Sequence, residues 1–141
     1  PASVTLHGAD VTAAVSGVAK MPRVRAWVNA RMHQCAQEGP IVVDGRDMGW
    51  AVFPDAPLKV FLVADASVRA RRRLLQRLGR EPDAREVAHE AAELARRDVR
   101  DAEQTRQADD AVRIDTTNLT QEQQVRRIVA LTQGTAAGSG E

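Results

Sequence analysis

Three short apolar runs, IVV at 41–43, KVFLV at 59–63 and VRI at 112–114, stand apart along this chain with helical patterns between them. That rhythm most restricts what the chain can fold into, because strands alternating with helices make a parallel α/β sheet with flanking helices. The first run is β-branched without alternation, as expected of a strand covered on both faces. It runs into Asp44-Gly45-Arg46-Asp47, a turn at a strand end, where open α/β sheets keep their chemistry. Gly45 lets the backbone turn sharply or approach a ligand. Arg46 offers a planar fork of donors for phosphate or carboxylate, and Asp47 offers acceptors for amino or hydroxyl groups. Taken alone, the four residues fit an ordinary surface turn with a local Asp/Arg pair equally well.

The helices announce themselves by their ends. Pro22 starts one to about Ala36, with Val24, Trp27, Val28 and Met32 on an apolar face and Gly39-Pro40 stopping it. Arg25 shares that face only in part and can point outward. Asp65 or Ser67 caps a helix from about Val68 to Leu78 that ends at Gly79. Asp83 caps another, to roughly Ala102, with Val87, Ala91, Leu94 and Ala95 at helical spacing. Thr120 and Gln123 form a capping box before a last helix to Leu131. Val4 to Leu6 reads as the remnant strand of a small subdomain, and the tail at 134–141 is expected to be disordered.

Composition excludes several functions. With 141 residues and 43% apolar content, a proper core is affordable. Trp27, Trp50, Phe53 and Phe61 are the only aromatics, which leaves no stacking platform for single-stranded nucleic acid. No nucleic-acid polymer is expected as a partner. The net charge is +1, yet nearly all cations are arginine, and Arg69, Arg71, Arg72, Arg73, Arg77 and Arg80 crowd one helix in a manner suited to phosphate. Each taken singly is equally an ordinary solvated residue. Cys35 is alone, the three histidines lack metal-like spacing, and no apolar run spans a bilayer. No signal sequence opens the chain, so a cytoplasmic protein is expected, with no protein-bound metal and no membrane partner.

The run DGRDMGWAVFPDAPLKVFLVADASVRARRRL resembles the core of the bacterial cytidylate kinases, whose pattern is DGRDMG(T)xxFPxAxxKxFLxAxxxxRAxRR. The likeness extends to VTLHGAD at 4–10, SGVAKMPRVR at 16–25, RDVRD at 97–101 and DDAVRIDTT at 109–117. It implies a nucleoside monophosphate kinase-like fold of the P-loop kinase type, incomplete here. It also implies an acceptor-nucleotide region over 1–40, a kinase core over 41–133 and a lid at about 68–106. The implied reaction moves the γ-phosphate of ATP, carried with Mg2+, to CMP or dCMP, in a monomer. In the roles the resemblance implies, Ser16 and Asp47 read cytosine, Arg25 and Arg46 clamp the acceptor phosphate, Arg97 contacts phosphate, and Asp101 takes the sugar hydroxyls. Arg46 and Arg97 are the implied catalytic pair, and Arg69 and Arg73 the implied lid arginines. Spacing alone also allows Arg97 and Asp101 to be a structural ion pair, four apart on one helix face.

The departures matter as much. The glycine-rich phosphate loop of the family is not in these residues, and Lys20 and Lys59, the only lysines, follow no such loop. The chain passes directly from Thr12 to Ala13 where members carry one or two further helical turns, and it has AEQTRQADD where they carry a Ser-Pro-Leu-like stretch. These are real deletions or segments absent from the sequence. The family's RDxxDxxR motif meets Gln104 at its last position, with Arg106 two residues on. By itself such a chain is expected to be inactive. The alternatives are an incompetent nucleotide-binding or interaction module, or another nucleoside monophosphate kinase.

Overall fold

A computed structural model describes residue 14 and residues 17–19, 21–102 and 105–138. The expected strand at 4–6 and the proposed base reader Ser16 therefore lie outside the described residues. The chain divides into two compact units, residues 1–43 and residues 44–141.

In the first unit, helix α1 spans Pro22–Glu38 with proline at its start. Proline suits that place because its missing N–H would have no helical partner anyway. The helix buries no residue, and Trp27 remains 62% exposed. Trp27, Val28, Met32 and Cys35 line a shallow apolar groove with Ile41, Val42 and Val43. The strand expected at 41–43 does not form: the segment has no ladder partner among the described residues, and Val42 is 99% exposed. A β-branched run only prefers extended backbone, and it becomes a strand when a neighbour takes its N–H and C=O groups.

The second unit holds strand β1 (Val60–Val63), helices α2 (Ala66–Leu78) and α3 (Ala84–Arg100), strand β2 (Val112–Asp115) and helix α4 (Gln121–Gly138). The strands pair in parallel with Val60 opposite Val112 and Val63 opposite Asp115. The two-helix connection supplies the crossover that parallel strands require. The sheet of the described residues has these two strands. Among the described residues its core is small: Val52, Ala70, Leu74 and Ile114 are the buried apolar side chains.

The helix ends follow the sequence closely. Gly79 takes the left-handed conformation, φ 66°, and its N–H donates to the Leu75 carbonyl to close α2. The Asp83 carboxylate accepts from the amides of Arg85 and Glu86 while Glu86 accepts from the Asp83 amide, a complete capping box. Thr120 and Gln123 do the same ahead of α4. Asp65 stands at the start of α2 without capping it, and its amide donates instead to the Thr117 hydroxyl at 3.0 Å. The stretch from Gly134, expected to be disordered, is helical as far as Gly138. Extending an existing helix costs far less than nucleating one, and Ala136 and Ala137 favour it.

Candidate functional site

Met48–Val52 is a wide helical turn, headed by Asp47 and closed by Phe53. The amides of Ala51 and Val52 both donate to the Asp47 carbonyl, at 3.0 and 3.3 Å, and that of Phe53 donates to the Met48 carbonyl at 2.7 Å. Turns whose bonds reach five residues back are uncommon and concentrate at functional sites. Met48 folds back over Gly45, where a Cβ would lie 2.8 Å from its Cγ and force that side chain to shift. Val52, 3% exposed, anchors the turn in the core.

Lys59 pins the turn from below. Its ammonium donates to both carboxylate oxygens of Asp110, at 2.8 and 2.6 Å, and to the Pro54 carbonyl. Its side chain is nearly buried, and its stem packs against Gly49. The hydrogen bond from Lys59 holds the Asp110 carboxyl below the usual carboxylate range. Position-by-position reading gave Lys59 no role. The available signal was a lone lysine at the head of a buried strand, where a charge needs a partner.

Two crosslinks tie the turn to the end of α3 and to the segment that follows it. Arg46 donates to Asp101 at 2.7 Å, so two of the residues singled out in the sequence meet although 55 positions separate them. Asp101 occupies the C-terminal cap of α3, where the helix dipole opposes a negative charge. The Arg46 hydrogen bond, aided by Arg100 at 3.6 Å, nevertheless keeps the Asp101 carboxyl below its ordinary range. The second crosslink runs the other way: the Arg106 guanidinium lies over the Trp50 ring, 5.1 Å from its centroid. The indole Nε1 is buried with no hydrogen-bond partner among the described residues.

The other sequence candidates divide. Arg97 and Asp101 do not pair; Arg97 is exposed, with no side-chain partner among the described residues, while Asp101 turns to Arg46. Asp47 sits at the head of the wide turn. Arg25 lies on α1 in the first unit. Arg69 is held by Asp98 through two bonds of 3.2 and 2.5 Å, which raise its pKa. Arg73 and Arg77 share Glu90, each at 3.2 Å. These cations thus have acidic partners on the neighbouring helix, a use that helical spacing within α2 does not reveal. Arg72 donates to the carbonyls of Thr116 and Leu119, at 2.7 and 3.0 Å, and fixes the loop after β2. No three His, Cys, Asp or Glu among the described residues are grouped to hold a metal ion. No helix among them is long and apolar enough to cross a membrane.

A parallel α/β unit whose wide turn is clamped by Arg46 to Asp101 is the architecture in which the comparisons with known proteins find their match. The Cytidylate kinase family model matches residues 1–134, and the chain belongs to that family of phosphotransferases. It is 42% identical over 143 aligned positions to the cytidylate kinase of Azotobacter vinelandii, covering 92% of this chain and 62% of that protein. The cytidylate kinase of Geobacillus kaustophilus is 46% identical over 131 positions, 89% of this chain and 58% of that protein. The bifunctional pantoate ligase/cytidylate kinase of a Synechococcus strain is 40% identical over 92% of the chain and 26% of that protein. The chain therefore spans about three-fifths of the length of the single-function relatives. The alignment with the Azotobacter protein has more positions than the chain has residues, so that relative carries internal residues this chain lacks.

Proposed function

We propose that these residues form the acceptor side and lid of a cytidylate kinase that transfers the γ-phosphate of ATP to CMP or dCMP in the cytoplasm, as a monomer. The observation that carries this reading is the meeting of Arg46 and Asp101 at the wide turn headed by Asp47. The ion pair is 62% exposed on the arginine side, so it adds little to stability and leaves donors accessible to a ligand. Membership of the family supports the same assignment.

In this reading Asp47 and Ser16 accept from and donate to the polar edge of cytosine, which uracil presents with opposite polarity. A site built around one pattern leaves groups unpaired with the other base, and that is where discrimination arises. Arg46, Arg25 and Arg97 take the acceptor phosphate, and Asp101 takes the sugar hydroxyls. Phosphoryl transfer is mostly positioning and neutralisation of charge, so arginines held in place do the greater part of the work. Magnesium neutralises charge on the ATP phosphates and arrives with the nucleotide. Arg69 and Arg73 serve as lid residues once α2 releases Asp98 and Glu90.

The test is ADP release by the full-length protein with magnesium-ATP and a panel of CMP, dCMP, UMP and AMP. CMP and dCMP are expected to be used with clear preference. Equal use of UMP or AMP, or no CMP-dependent turnover, would overturn the reading.

A further inference from the structure

We infer that Trp50 is a positioning residue: its indole face holds Arg106 so that the guanidinium edge is presented to a phosphate monoester bound beside Arg46. The inference rests on the acceptor-site reading above.

The argument begins with how the two segments are joined. Arg46 reaches from the wide turn to Asp101, and Arg106 reaches from beyond Asp101 back to Trp50 on that same turn. The Thr105 amide and hydroxyl both donate to the Asp101 carbonyl at 3.0 Å, so the backbone just before Arg106 is fixed to the cap that Arg46 grips. Arg46 and Arg106 therefore belong to one junction. Asp101 is shared by Arg46 and Arg100, Asp98 is occupied by Arg69, and among the described residues Arg97 and Arg106 have no acidic partner.

Stacking decides what Arg106 can still do. A guanidinium lying on an aromatic face uses its π surface and keeps its in-plane N–H donors, and tryptophan is the best such platform. The indole Nε1 edge is buried, so the face is what Trp50 offers to Arg106. The arginine is thereby limited to few orientations before an anion arrives, which lowers the ordering cost of binding. Trp50 stands where the family pattern has threonine, and Arg106 stands two residues past the last arginine of RDxxDxxR. The two departures compensate each other.

The experiment combines kinetics with tryptophan emission in the full-length protein. Arg106→Gln is expected to raise KM for CMP about ten- to a hundredfold, the worth of a lost charge-assisted hydrogen bond, with KM for ATP unchanged. Trp50→Leu should raise it in the same direction, and the double variant should be no worse than Arg106→Gln alone, because the platform acts only through the arginine. Trp50→Phe, which keeps a ring, should fall between, and it serves if the leucine variant does not fold. CMP and inorganic phosphate should change the emission component that Trp50→Phe removes, cytidine should not, and Arg106→Gln should abolish the response. An unchanged KM in Arg106→Gln, additive single effects, or CMP binding without a Trp50 response would overturn the inference and leave the kinase assignment standing. If the wild type turns over no CMP, the assignment falls. The platform is then judged by inorganic phosphate alone: a Trp50 response lost in Arg106→Gln sustains it, and no response overturns it.

Discussion

Glu86 shows how one side chain is used twice. It completes the capping box of α3 and takes both terminal nitrogens of Arg80, at 2.9 and 2.6 Å. The Arg80 hydrogen bond, then that from the Asp83 amide, lowers its pKa from 4.5 to about 2. A carboxyl lowered on folding contributes stability that is fully present above its unfolded value and is lost as pH falls through the folded one. Urea unfolding as a function of pH should therefore show wild type and Glu86→Gln separated above 4.5 and converging towards 2. A gap independent of pH would mean that Glu86 contributes through packing alone. Asp83→Ala should cost about 0.5 to 2 kcal/mol at neutral pH, the usual loss for a helix cap.

The boundaries of the second unit were legible because their causes are local. Gly79, Asp83 and the Thr120–Gln123 box each act within one turn, so spacing in the sequence suffices to find them. Contacts between segments were not legible. Nothing in the spacing of Arg69 and Arg73 says that Asp98 and Glu90 will face them, and nothing in that of Arg97 and Asp101 says that Asp101 will turn to Arg46 instead. The run at 41–43 failed for the same reason, since its strand character depends on a partner. Arg46 and Asp47 stand out through their turn and Lys59 through its place at the head of a buried strand, whereas the partners, Asp110 for Lys59 and Trp50 for Arg106, emerge only from the folded contacts.

At the scale of elements, the α2–α3 hairpin poses a choice between apolar packing and ion pairing. Glu90 is 8% exposed, but Arg73 and Arg77 remain about half-exposed, so much of the attraction is spent against solvent. Removing one partner is costly where it leaves the other charge buried, but Arg73 and Arg77 return to water when Glu90 is lost. Leu74, 3% exposed, has no such compensation. Leu74→Ala should cost about 2 to 5 kcal/mol, and Glu90→Met well under half of that. Chemical denaturation of both variants checks the order. A larger loss for Glu90→Met would show that the arginines, rather than the leucine, hold the hairpin.

For the whole molecule, the central claim is that the Met48–Val52 turn and the Asp44–Asp47 segment leading into it, clamped to the end of α3, are a phosphate-gripping acceptor site. Its parts divide the labour: Lys59 and Val52 hold the turn, Arg72 secures the loop beyond β2, and Arg46 and Asp101, paired with each other, are the groups proposed to meet the ligand. Calorimetric binding of CMP and of cytidine to the full-length wild type and to Arg46→Met tests the claim most directly. Cytidine lacks the phosphate and should bind both proteins equally. CMP should bind the variant more weakly by on the order of 1.5 to 3 kcal/mol, one lost charge-assisted contact. An Arg46→Met protein that binds CMP as tightly as the wild type, or that loses cytidine and CMP to the same extent, would contradict it.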